Sequence, residues 1–160
     1  MAWTDIVALV MIVGIAWLES QRGFGRSIFD LVGAIISLKV ADLLSEPVSK
    51  AAPVLAVPAG NQAFWFAALF LVLAVLTVLG AKVIYETTLL SLDVLDPLVG
   101  AIFGVSVGLI VAHVLLRTLF IGYGGGPEAD ALVNTFMGQE LLKFRTYHTV
   151  VATLQNLGNW

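Results

Sequence analysis

The sequence predicts an all-α integral membrane protein: a small bundle of four transmembrane helices with an amphipathic C-terminal helical tail. Three observations carry that expectation. Of 160 residues, 59% are hydrophobic and only 12% charged, with a mean hydropathy of +0.98, whereas a soluble domain carries about a quarter charged residues. The apolar residues gather into long segments, separated by stretches rich in glycine, proline or charge, and about 20 such residues suffice to cross a bilayer. Finally, Gly100, Gly104 and Gly108 recur every four residues in the last segment, which on a 3.6-residue period puts them in one narrow groove open to close approach by another helix.

The composition also excludes whole classes of function. Eight Lys plus Arg and a net charge of −3 give no clustered basic surface of the kind that neutralises phosphates, so no nucleic-acid partner is expected. With no cysteine there is no disulfide framework, thiolate nucleophile or cysteine metal site.

The first segment opens on Trp3-Thr4-Asp5 and is strictly apolar from Ile6 to Leu18, ending at Glu19. No basic residue precedes it, so it reads as retained rather than as a cleaved signal peptide. Its apolar part is only about 20 Å long at 1.5 Å per residue. Two readings follow: a short span with Thr4, Asp5 and Glu19 in the headgroups and Trp3 and Trp17 as anchors, or half of a re-entrant hairpin. Arg22 and Arg26 in the next connection place that loop in the cytoplasm by the positive-inside tendency, and four spans then put both chain ends in the periplasm.

The second segment, about Ser27 to Leu44, carries Asp30 inside it and Lys39 near its end, and repeats small residues at Gly33, Ser37 and Ala41. That small face is the expected partner of the glycine groove in the fourth segment. Asp42 to Gly60, with Pro47, Pro53 and Pro58, reads as a loop, with room for a short helix over Val48 to Ala52. Ala63 to Ile84 is the cleanest span, with Phe64, Trp65 and Phe66 at its opening interface and Ala67, Ala74 and Ala81 as a smooth stripe. Tyr85 to Asp96 reads as an amphipathic connection carrying Glu86, Asp93 and Asp96, and Pro97 suits the first turn of the next helix. The layout is therefore a membrane domain over 1–122, with spans at about 4–20, 27–44, 63–84 and 97–121. A glycine linker and amphipathic tail follow over 123–160, its stripe formed by Val133, Phe136, Met137, Val150, Val151, Leu154 and Leu157.

Ionisable groups inside a membrane are functional candidates because burying them costs several kcal/mol unless compensated. Asp30, His113 and Arg117 qualify, the last two sharing a face with Ser106 roughly opposite the glycine groove. Either His113 and Asp30 form a proton relay, or His113 makes one hydrogen bond inside the bundle and Arg117 reaches up to the headgroups. No metal site is expected, since neither His113 nor His148 has a histidine or carboxylate at i+3 or i+4. Gly104-Val105-Ser106-Val107-Gly108 has the letters of a nucleophile elbow but lies inside a continuous helix, and Gly124-Gly125-Gly126 lacks the lysine of a phosphate loop. No catalytic residue and no cofactor is expected.

Trp3 and Asp5 in the first helix, Arg22-Gly23-Phe24-x-Arg26 opening the second, and Asp96-x-Leu98-x-Gly100-x-x-x-Gly104-x-x-x-Gly108 in the fourth carry a resemblance. In their order and spacing against four hydrophobic segments, they resemble the colicin V production protein (CvpA) family over about residues 1–122. The chain departs from that pattern at Ser27, where the family usually has glutamate, and at Val107, where it has a basic residue; Asp30, one turn on, is the nearest substitute for the first. The resemblance implies a multi-pass protein of the bacterial cytoplasmic (inner) membrane associated with colicin export and envelope homeostasis, with no established catalytic residues. The expected function is that of a non-enzymatic membrane factor working through helix–helix contacts. Its partners are the lipid bilayer and other membrane proteins or copies of itself. A structural subunit of a larger membrane complex and an oligomeric channel for protons or solutes are the alternatives.

Overall fold

In lipid every backbone N–H and C=O needs a partner within the protein, and the chain meets that demand with helices. The computed structural model describes residues 2–88 and 96–157, and the side chains of 3–83 and 96–152. Its four long helices are α1 (Ala2–Arg22), α2 (Phe24–Ala51), α3 (Pro58–Thr88) and α4 (Asp96–Gly122); three short ones follow, α5 (Pro127–Val133), α6 (Phe136–Leu141) and α7 (Arg145–Leu157). No strand occurs among the described residues. Trp3–Arg22, Pro58–Val83 and Asp96–Gly122 are long and apolar enough to cross a bilayer. The 28 residues of α2 reach about 42 Å at 1.5 Å per residue, but Arg26, Asp30, Lys39, Asp42, Glu46 and Lys50 interrupt its apolar surface.

Helix α4 is the centre of the bundle, packed along α1 on one side and against α2 and α3 on the other, while α2 pairs with α3. The glycines set the α1–α4 separation. A Cβ at Gly100 would stand 2.7 Å from the Glu19 carbonyl oxygen, at Gly104 2.7 Å from Ala16 Cα, and at Gly108 2.8 Å from Ile12 Cα, all closer than a methyl group tolerates. The expected pairing of this groove with the Gly33-Ser37-Ala41 face is therefore corrected. That face turns to α3, where a Cβ at Gly33 would lie 2.6 Å from Thr77 Cβ, and Ala41 joins Phe66, Phe70 and Val114 in a buried cluster. Both faces are small for close approach, but each already has another partner.

The loop expected over 42–60 shrinks to residues 52–57, because α2 continues through Pro47 to Ala51 and α3 starts at Pro58. The helix tolerates Pro47 because the carbonyl it leaves free belongs to Leu43, a residue 74% exposed. Asn61, buried, organises the short connection. Its Oδ1 accepts from the N–H groups of Val54 (2.8 Å) and Leu55 (3.1 Å), and its Nδ2 donates to the Ser49 carbonyl at 2.6 Å. Trp65 Nε1 donates to the Ala52 carbonyl. Phe66, expected at the interface, is instead fully buried. Of the connection expected over 85–96, residues 85–88 prolong α3, and 89–95, with Asp93, lie outside the described residues.

Beyond Gly122 the chain turns back onto the bundle. Leu132 of α5 and Leu141 of α6 are buried with Ala8, Ile12, Ala112 and Leu116 of α1 and α4. Of the tail's expected apolar stripe, Met137 packs against this cluster, whereas Phe136 is 68% exposed and the buried anchors are Leu132 and Leu141. Only α7 stands as an exposed amphipathic helix, with Tyr147 and Val150 outward; Leu154 and Leu157 lie outside the described side chains.

Candidate functional site

The α1–α2 turn gathers the charged residues of the bundle interior. Glu19 ends the apolar run of α1, and three residues on, Arg22 Nη1 donates to its Oε1 at 2.6 Å. The same nitrogen lies 3.2 Å from Asp30 Oδ2 on α2, and Arg26 Nε approaches that oxygen to 3.9 Å. Ser27, fully buried, sits 2.8 Å from Glu19 Oε2 and 2.9 Å from the Gly23 carbonyl. Glu19 and Asp30 are 2% and 4% exposed, so two buried carboxylates meet two guanidinium groups that keep partial access to water. Two charges of each sign meet, which is the arrangement that makes buried ions tolerable.

Gly23 makes the turn with φ +80°, a left-handed conformation that glycine adopts without penalty. A Cβ there would also stand 3.1 Å from the Asp96 carboxylate. Asp96 Oδ1 accepts from the Phe24 N–H at 3.3 Å, so the first residue of α4 caps the start of α2. Phe24 packs its ring 5.7 Å from Phe103. Arg22, Gly23, Phe24, Arg26, Asp96 and Gly100, distributed over three helices, are thus brought into one knot. Below it a cavity of about 170 Å³ opens between all four long helices, with Glu19, Arg22 and Asp30 at one end and Phe70, Thr77 and Val107 in its walls. Asp30 Oδ1 is buried without a hydrogen-bond partner among the described residues, as is Ser37 Oγ.

The opposite end of the bundle holds the remaining candidates. Asp5 accepts from the N–H groups of Phe136 (3.3 Å) and Met137 (2.9 Å), capping α6 from α1, while Trp3 is exposed. His113 Nδ1 lies 2.7 Å from the Leu141 carbonyl. A carbonyl only accepts, so Nδ1 carries the proton. Arg117 pairs with Asp42 of α2 and lies over the Phe66 ring at 5.5 Å. Ser106 donates to its own helix, at the Ile102 carbonyl.

Asp30 and His113 are therefore not neighbours. Ala112 packs with Ala8, eleven residues along α1 from Glu19, or about 16 Å at the helical rise. The structure gives each its own partners, which is the non-relay arrangement. Sequence reasoning missed Glu19 and Ser27 as members of the network, placing Glu19 in the headgroups; the signals were the i,i+3 spacing of Glu19 to Arg22 and the i,i+4 spacing of Arg26 to Asp30. Of the two departures from the family pattern, Ser27 lies in the knot itself and Val107 faces the cavity beside it.

Comparison with curated proteins finds no match, and neither does comparison with solved structures. One family does match, that described as colicin V production protein, over residues 4–137. The matched stretch runs past Gly122 to α6, as the packing of α5 and α6 on α1 and α4 would require. With its apolar helices and a match over most of its length, the chain is a membrane protein belonging to the colicin V production protein family.

Proposed function

We propose that this protein is a non-enzymatic component of the bacterial inner membrane, in which all four long helices cross the bilayer, and that it assists toxin export or envelope homeostasis through helix–helix contacts. What supports the reading is how the polar residues are used. The motif residues Asp5, Arg22, Gly23, Phe24, Arg26 and Asp96 pair, turn, cap or pack within the bundle. Groups spent on holding the fold are poor candidates for chemistry on a substrate. Helix α2 crosses with its neighbours because it runs antiparallel along α3, from Gly33 beside Thr77 to Ser49 beside Asn61. Its acidic residues are carried by partners, Asp30 by Arg22 and Arg26, Asp42 by Arg117 and Glu46 by Lys50, and Lys39 is exposed.

Outward, α3 exposes Leu71, Val72, Val75, Leu76 and Leu79, a surface suited to lipid or to another membrane helix. Deleting the gene and scoring toxin release and detergent sensitivity, with rescue by plasmid copies, tests the role. Rescue is expected from the parent and from His113→Ala. Normal export and a normal envelope in the deletion strain would overturn it. Reporter fusions after residues 22, 55, 89 and 160 test the topology, with 22 and 89 on the cytoplasmic side; a fusion after 55 that reports the same side as 22 would remove α2 from the spans.

A further inference from the structure

The end of the bundle away from the ionic knot carries an amphipathic slot. Its wider part, about 500 Å³, lies between α4 (Arg117, Phe120), α5 (Asp130, Val133) and the α6–α7 junction (Lys143, Phe144), within the range of about 300–1,000 Å³ usual for small-ligand sites. A second recess of about 380 Å³ shares His113 and Phe144 with the first and continues past Leu38, Leu109 and Ile110 toward the middle of α4. Phe144 forms the common wall. Its backbone is left-handed at φ 50°, a rare conformation for a bulky residue, and its ring stands 5.9 Å from that of His113.

The slot grades from charged to apolar in the direction a lipid does. Arg117 lies five residues before the end of α4, about 7.5 Å at the helical rise, at headgroup depth in a spanning helix; Leu109 and Ile110 lie about two turns deeper. We propose that the slot binds one phosphatidylethanolamine molecule, a reading that rests on α4 spanning the membrane. Its phosphate sits between Lys143 and Arg117, its ammonium on Asp130, and one acyl chain in the recess along Leu109 and Ile110. The charges select the headgroup. Arg117 also holds Asp42, and Lys143 stands with Asp130 and with Glu140 of the second recess, so a lipid with net negative charge meets more carboxylates than unpaired cations, and a choline offers them no N–H donor. His113 does not compete for the phosphate through Nδ1, which is spent on Leu141.

Native mass spectrometry in an uncharged detergent tests this, with phosphatidylethanolamine, phosphatidylcholine and phosphatidylglycerol of identical acyl chains added in turn. One ethanolamine lipid should survive delipidation, bound about tenfold more tightly than either other lipid, the scale of one charge-assisted hydrogen bond. Lys143→Gln and Asp130→Asn should each cost about tenfold in its occupancy, without lowering the melting temperature of the lipid-free protein. Leu109→Trp, which fills the recess, should displace it. Equal retention of the three lipids, preference for the glycerol lipid, or occupancy indifferent to all three substitutions overturns the proposal. The reporter fusions above read the spans independently, so a failed topology is distinguishable from an absent lipid.

Discussion

The two ends of the bundle are tied by opposite strategies. At the α1–α2 turn the ion pairs are local: Glu19 to Arg22, Arg22 to Asp30 and Arg26 to Asp30 all lie within twelve consecutive residues. At the other end the ties cross the chain, from Asp5 to Met137, from Asp42 to Arg117 and from His113 to Leu141. A local tie costs little loop-closure entropy and forms as soon as two helices exist. A long-range tie exists only once α4 and α6 are in place. The first end therefore holds itself with charges close in sequence, and the second with one ion pair and hydrogen bonds that wait for distant segments.

Substitutions can break or sharpen that contrast. The largest effect is expected from Asp30→Asn, which leaves Arg22 and Arg26 facing one buried carboxylate; both guanidinium groups keep some access to water, so the cost is that of a hydrogen bond to a charged group, about 1.5–3 kcal/mol. Protein abundance and melting temperature in detergent should both fall, and an unaltered melt would mean that the knot does not hold the turn. Next comes Gly104→Leu, which drives a side chain into Ala16 of α1, where overpacking costs about 1–3 kcal/mol. Ile102→Ala, at a side chain 60% exposed, is its control, and equal melts for the two would deny α4 its central place.

At the long-range end, Asp5→Ala removes a cap worth about 1 kcal/mol and should loosen α6 alone, read as faster hydrogen exchange at Phe136 and Met137 with α1–α4 amides unaffected. His113→Ala should be milder still, since it removes one neutral hydrogen bond of about 1 kcal/mol net. A folded but inactive His113→Ala protein would contradict the structural role given to this histidine. The smallest change is expected at the exposed Glu46–Lys50 pair of α2. The hydrogen bond and charge of Lys50 hold the Glu46 carboxyl below its ordinary pKa, so the pair's contribution is present at neutral pH and is lost as acid protonates Glu46. Lys50→Gln should accordingly lower the neutral melt slightly and leave the acid melt unchanged, narrowing the difference between them.

The contrast also sets what could be read from the sequence. The all-α class, the glycine groove and the short connection between the first two segments follow from period, composition and local spacing, and the structure keeps them among the described residues. The partner of the groove does not: Gly33-Ser37-Ala41 and Gly100-Gly104-Gly108 are both small faces, and nothing in their spacing says that the first meets Thr77 and the second Ala16. Pro47 read as a helix stop because its tolerance depends on an exposed Leu43, a tertiary property. Residues 127–141 read as a tail because their burial rests on Asp5, Ala8 and Ile12, more than a hundred positions away. In the candidate site, Glu19 was within reach of helical spacing, whereas Asp42 as the partner of Arg117 was not.

The order of synthesis gives the local knot a further consequence. Glu19, Arg22, Arg26 and Asp30 emerge from the ribosome long before α3 and α4, and they neutralise one another within the first two helices. An α1–α2 hairpin thus has its buried charges paired before the later helices exist, when an unpaired one would cost several kcal/mol. Helix α1 must still wait for its main packing partner, α4, and for α6, which Asp5 caps. Until then its glycine-facing side has only lipid against it. Assembly therefore begins with charge and ends with close packing, and a ribosome stalled before α4 would leave a hairpin whose charges are satisfied while the Ile12-Ala16-Glu19 side of α1 remains open to quality-control recognition.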